Sequence, residues 1–256
     1  MKPRLICRWL ATLTCAAASL ITSVALAADV HVMISAGFFQ AYSALAPGFE
    51  RASGHKLVTT RGPSLGDSPE AIPNRIKRGE PVDVVIAVGA SIDDLGHQGM
   101  VSASSKVNLA RSEIGMVVRA GAPKPDIGSV DAFRRTLLDA KSIAYSDSAS
   151  GIYLSTTLFA KLGVADQVMG KARKIRGPPS GEQVATVVAR GEAEIGFQQV
   201  SELIDVPGVS FVGTIPAELQ QETYFSAAIA TAVKEREAAG ALIRYLSSPE
   251  AAPAIS

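Results

Sequence analysis

Hydrophobic and polar positions along this chain follow two alternating periods. Short β-branched runs at 30–34, 56–60, 82–88, 114–118, 142–145, 195–197 and 209–212 read as strands. Between them, stretches at 38–53, 70–78, 92–98, 130–139, 150–162, 181–190 and 233–246 read as helices. Strands alternating with helices predict mostly parallel sheets flanked by helices and joined by right-handed crossovers. There is no internal repeat and no low-complexity linker. Two stretches, 107–114 and 224–230, are placed to carry the chain from one lobe to another and back. The expectation is therefore an α/β protein of two lobes, with 28–108 and 226–256 in lobe I and 109–225 in lobe II. A cleft between such lobes collects ligands at strand C-termini and helix N-termini.

The residues before position 28 follow neither period. Lys2, Arg4 and Arg8 stand without an acid, an apolar run follows over 9–26, and it closes on Ala25-Leu26-Ala27. This is the layout of a secretory signal, with cleavage expected near Ala27 and export to the periplasm. Later in the chain no run of about 20 apolar residues offers a membrane span. Cys15 lacks the Leu and small residue that normally precede a lipoprotein cysteine, so no lipid anchor is expected.

Composition changes meaning once that leader is set aside. The 256-residue chain carries a net charge of +1 and a mean hydropathy of +0.22. Loss of the leader removes Cys7, Cys15 and Trp9, and it leaves two more acidic than basic side chains. A mature chain without cysteine has no disulfide, thiolate nucleophile or Cys-metal site. A near-neutral balance excludes a broadly basic nucleic-acid binder and an acidic disordered tail. Attraction of an anion must then come from a few local donors.

Four loops at expected strand-to-helix junctions carry such donors. Ser35-Ala36-Gly37 leads into Phe38, where small residues let backbone N–H groups approach an anion at a helix N-terminus. Arg61-Gly62-Pro63-Ser64 continues to Arg75 and offers a hydroxyl and two guanidinium groups suited to carboxylates. The third loop, from Tyr145 to Tyr153, contains Asp147, Ser148 and Ser150. In the fourth, Gln198 and Gln199 supply amides in place of charge, and Gly89 ends the third strand. Ser35, Ser64 and Ser150 also read as helix caps, and Arg61 and Arg75 as surface ion-pairing residues.

Other chemistries find no support. His31, His55 and His97 lack metal-ligand spacing, and neither a G-x-S-x-G elbow, a Walker A loop nor a G-x-G-x-x-G fingerprint occurs. No metal and no cofactor is expected.

The run from Leu45 to Lys56, then Arg78-Gly79-Glu80-Pro81-Val82-Asp83-Val84, resembles the periplasmic molybdate-binding proteins of ABC importers. Ala144-Tyr145-Ser146-Asp147, Gly151-Ile152-Tyr153, Arg190-Gly191-Glu192-Ala193-Glu194-Ile195-Gly196 and Ser247-Ser248-Pro249-Glu250 extend the likeness over the mature chain. The resemblance implies the type II solute-binding fold, two lobes linked by two crossover strands. It also implies that Ser35 and Ser64 hydrogen-bond an oxyanion. The tyrosine usual after the Gly of the late strand is replaced in Gly196-Phe197-Gln198-Gln199, and the second loop also departs from the family pattern. Gly-Pro-Ser and Pro-Glu-Ala-Ile-Pro-Asn-Arg look more like a divergent branch of that family that includes aconitate isomerases.

That likeness implies a monomeric periplasmic isomerase holding a small polycarboxylate such as aconitate and moving an allylic proton. The alternative is a non-enzymatic receptor delivering molybdate or a similar anion to an ABC permease. Asp147, Glu70, Tyr145 and His31 are the available candidates for a general base, with none singled out.

Overall fold

The computed structural model describes residues 27–255, so the expected leader lies, but for Ala27, outside the described residues. Ten strands form two five-stranded sheets. The first has the order β2-β1-β3-β10-β4 and contains β1 (Asp29–Ile34), β2 (Lys56–Arg61), β3 (Val84–Val88), β4 (Val107–Ser112) and β10 (Thr223–Ile229). The second, in the order β7-β6-β8-β5-β9, contains β5 (Ile114–Arg119), β6 (Ile143–Ser146), β7 (Ala172–Ile175), β8 (Ile195–Gln199) and β9 (Val209–Thr214). Parallel ladders join β1 to β2 and β3, and β6 to β7 and β8. β10, the last strand of the first sheet, and β5, the first of the second, run antiparallel to their neighbours.

The α-helices are α1 (Ala36–Ser53), α2 (Ile72–Lys77), α3 (Gly89–His97), α4 (Val130–Asp139), α5 (Ala149–Tyr153), α6 (Phe159–Lys161), α7 (Ala165–Val168), α8 (Val184–Ala189), α9 (Arg236–Leu246) and α10 (Ala252–Ile255). They cover both faces of each sheet, which is why the central strand β3 is apolar without alternation. Val84, Ile86 and Val88 face Phe38, Tyr42, Phe49 and the α9 residues Leu242 and Leu246. Val85 and Ala87 face Ile92 and Leu95 of α3. The second sheet repeats the plan, with Ile114, Met116 and Phe197 against Phe133 and Phe159, and Val117 against Val184 and Val188.

Three strands go beyond the periodicity, two of them the crossover strands that the resemblance implies. The crossing stretches are themselves strands, β4 and β10, paired antiparallel from Ser112↔Thr223 to Val107↔Ala227. The chain changes sheet between Ser112 and Ile114, and again between Thr214 and Thr223, a few residues away from the expected lobe limits at 108/109 and 225/226. Burial explains the offset, because Phe225 and Ala227 pack into the first core. The third strand, β7, is an edge strand whose Arg173 and Lys174 are exposed, which hides its alternation. The helix expected over 150–162 is interrupted by a π-helical turn at Leu154–Leu158. There Ser155 and Thr156 hydroxyls donate to the carbonyls of Gly151 and Ile152 at 2.8 and 2.7 Å.

Candidate functional site

A cavity lies where the C-terminal ends of β1, β2, β3, β6 and β8 face one another. Its lining comes from both lobes: Ser35, Gly37 and Ser64 from the first, Ser148, Ser150 and Gln198 from the second, among others. Two helices begin at its wall. Ser35 precedes α1 and Ser148 precedes α5, and neither side chain caps its own helix. The first N–H groups of each helix lack intrahelical partners and so favour negative charge at this wall.

Ser35, Ser64, Ser150, Gln198, Gln199 and Glu202 are each buried. Ser35 Oγ and Gln199 Oε1 have no hydrogen-bond partner among the described residues. Buried polar atoms of a folded protein are normally satisfied, so such atoms at a cavity wall are addressed to something that enters it. Ser64 Oγ accepts from Val88 N at 3.1 Å, which leaves its O–H to donate. Ser146 and Ser150 hydroxyls lie 3.0 Å apart, and Gln199 Nε2 donates to Thr223 Oγ1 at 3.2 Å.

Local sequence explains how the second loop presents Ser64. Ile72 N donates to Pro63 O at 2.9 Å, and a side chain on Gly62 would run into the Glu70 carbonyl, so the loop folds flat on itself. Asn74 Nδ2 fastens the fold by donating to Ser68 O at 2.8 Å.

The residues expected from the sequence separate into groups. Ser35, Gly37, Ser64, Asp147, Ser148, Ser150, Gln198 and Gln199 meet at the cavity. Arg61 stands just behind it, its guanidinium 3.9 Å above the Phe39 ring and its Nε buried without a partner. Gly89 lines a neighbouring hollow with Lys106 and Tyr153, and Tyr145 lines another with Lys174 and Arg176.

Phe38, Arg75, Glu70 and His31 are not brought to the cavity. Phe38 is a core residue of α1. Arg75 is committed elsewhere, with Nε donating to Glu70 O at 3.1 Å and Nη1 paired with Glu80 at 2.7 Å. Glu70 reaches from the first lobe to Arg176 of the second at 2.6 Å. The Ser68 hydroxyl and that guanidinium hold its carboxyl well below the usual carboxylate range. His31 lies near the start of β1, in a hollow with Asp29, Lys234 and Glu235.

One lining residue escaped the sequence reading. Glu202 follows β8 in a short 3₁₀ turn, Val200–Glu202, and its carboxyl is buried in the cavity wall. Gln198 Nε2 donates to its Oε1 at 2.6 Å. Burial pushes this carboxyl up to about 8, against the opposing pull of Arg61 and the Gln198 hydrogen bond, while Asp147 adds to the rise. A desolvated carboxyl poised near neutral pH, in a cavity with hydroxyl and N–H donors, has the makings of acid–base chemistry.

Comparison with known proteins gives this geometry a family. The profile of the bacterial extracellular solute-binding proteins matches residues 30–256. The chain is 50% identical over 224 residues to the aconitate isomerase of a Pseudomonas species, covering 88% of this chain and 84% of that protein. It is 28% identical over 242 residues to the molybdate-binding protein of Azotobacter vinelandii, covering 93% and 92%. The solved structure of the A. vinelandii periplasmic molybdate-binding protein matches with a TM-score of 0.69 at 21% identity, over 88% of this chain and 96% of that one. A substrate-binding domain of a putative molybdenum ABC transporter from Clostridium difficile matches at 0.65 and 17% identity, over 89% and 96%. These structural matches establish the type II binding-protein fold, and the family profile extends over almost all of the described chain. By that match the chain belongs to the bacterial extracellular solute-binding protein family.

Proposed function

We propose that this protein is a periplasmic aconitate isomerase that binds its tricarboxylate between the two lobes as a monomer, after loss of a leader near Ala27. The observation that carries the reading is its 50% identity, over 88% of its length, with a protein named aconitate isomerase. The cavity supports it chemically. Moving the double bond of aconitate requires a proton to leave a methylene and another to arrive two carbons away. The negative charge that develops needs preorganised donors, and Ser35 Oγ, Ser64 Oγ and the first N–H groups of α1 supply them. A non-enzymatic receptor for molybdate, working with a permease, fits less well. Likeness to the molybdate binder is 28%, against 50% to the aconitate isomerase.

Incubating the purified mature protein with trans-aconitate and following cis-aconitate by chromatography tests the reading. Approach to the equilibrium mixture is expected; no turnover, with a melting temperature raised by molybdate, overturns it. Ser35→Ala should weaken trans-aconitate binding by about tenfold or more, since a hydrogen bond to a charged group contributes about 1.5–3 kcal/mol. The unliganded melting temperature should stay where it was, because the hydroxyl caps nothing. Calorimetric titration beside a thermal melt reads both.

A further inference from the structure

We infer that Glu202 is the catalytic residue that removes the allylic proton and delivers one to the far carbon, and that Arg61 and Gln198 are positioning residues governing its ionisation. This rests on the isomerase reading above. The inference starts from what the other acids of the cleft are doing. Asp147 Oδ1 accepts from Gly177 N at 3.1 Å, which fastens the end of β6 to the segment after β7. Glu70 is held by Ser68 and Arg176, and His31 lies near the far end of β1. Tyr145 is packed edge-on against Phe159 with ring centroids 6.5 Å apart.

Glu202 is the buried one among these three carboxyls. Its carboxyl lines the same cavity as Ser35, Ser64 and both helix starts. Only Oε1 has a hydrogen-bond partner among the described residues, so Oε2 is left to a ligand. Gln198 is itself anchored, its Oε1 accepting from Val184 N at 3.2 Å, so the amide holds the carboxyl in one orientation. The charged groups around it come from two other elements: Arg61 at the end of β2 and Asp147 after β6. Arg61 acts on Glu202 through its field, without a hydrogen-bonded pair that would neutralise the base.

The step balances without a co-reactant. The methylene C–H bond breaks and its proton forms an O–H bond with the Glu202 carboxylate. The electron pair spreads over the three-carbon allyl unit and its carboxylates. The O–H bond then breaks, the proton bonds to the former vinylic carbon, the double bond shifts, and the carboxylate is restored. The ionised form begins the cycle, so kcat/KM should rise with pH through about 8, the value to which burial pushes the free carboxyl. Removing the positive field of Arg61 raises that midpoint further.

The test compares the wild type with Glu202→Gln, Arg61→Met and Arg61→Lys. Glu202→Gln keeps the volume and the bond from Gln198; it should lower kcat by about 100-fold or more while trans-aconitate still raises its melting temperature. Arg61→Met retains the apolar stem over Phe39 and should move the rising limb of log kcat/KM to higher pH, with Arg61→Lys restoring it. Should Glu202→Gln not fold, Glu202→Asp, whose carboxyl falls short, should lose kcat with ligand binding retained. A wild type that does not interconvert the aconitates sinks both this inference and the isomerase reading. An active wild type beside a Gln or Asp variant of similar kcat sinks this inference alone, and an unmoved limb in Arg61→Met removes the role given to the arginine.

Discussion

Replacing Asp83 by alanine should lower the unfolding free energy by about 3 kcal/mol, because three backbone N–H groups lose their acceptor at about 1 kcal/mol or more each. The carboxylate is buried at the start of β3. Its Oδ2 accepts from His31 N at 2.8 Å, and its Oδ1 from Lys234 N at 2.8 Å and Glu235 N at 3.3 Å. One side chain thus ties the first strand to the segment that opens the last long helix. Alanine offers no replacement acceptor. For a chain of this size the loss corresponds to a fall in melting temperature of about 6–12 °C. Asp83→Asn keeps one acceptor and should fall between the wild type and the alanine variant. Denaturant unfolding with an unchanged slope checks the size of the effect, and a loss below about 1 kcal/mol would show that water replaces the carboxylate at little cost.

Gly151→Ala should damage both the fold and the site. The glycine sits where α5 crosses the end of β6, and a side chain there would overlap the carbonyl oxygen of Ser146. The carbonyl carbon lies at 2.7 Å and the Tyr145 ring at 2.9 Å from the added carbon, so backbone must give way. Overpacking of this kind costs at least about 2 kcal/mol. The helix can accept the methyl only by lifting off the strand, and that carries Ser148 and Ser150 out of the cavity. Ligand binding should therefore be lost even at temperatures where the variant is folded. Gly170→Ala is the control: nothing stands within 4 Å of its added carbon, and both stability and binding should be kept. Thermal melts with and without trans-aconitate separate the two effects, and a Gly151→Ala protein that binds normally would show that α5 is not held by this contact.

Strands with intact apolar alternation, and central strands with none, were legible without coordinates. The edge strands β2 and β9 were legible too, but β4 and β7 were not, since they carry Arg111, Arg173 and Lys174 where alternation would be read. The cavity loops were legible because strand C-termini and helix N-termini converge in parallel sheets whatever the side chains. Misplaced residues had local explanations in reach. Phe38, Tyr42, Leu45 and Phe49 fall on one helical face, which marks Phe38 as core. Arg75 stands five residues before Glu80, its actual partner. Glu202 had no such signal: an acid one turn beyond a strand ordinarily faces water. Its burial follows from the turn folding back beneath Gln198 and against the opposite lobe, where Ser201 Oγ donates to Gly37 O at 2.6 Å.

The pairing of Ser112 with Thr223 has a consequence for the order in which the molecule assembles. All five strands of the second sheet come from one uninterrupted stretch, Ile114 to Thr214. The first sheet cannot be completed until β10 has arrived to pair with β3, which ended more than a hundred residues earlier. Loop-closure entropy delays such distant pairings relative to local ones. The inserted lobe is therefore expected to condense first, as a unit whose two ends lie side by side. The lobe that begins the chain is the last to close.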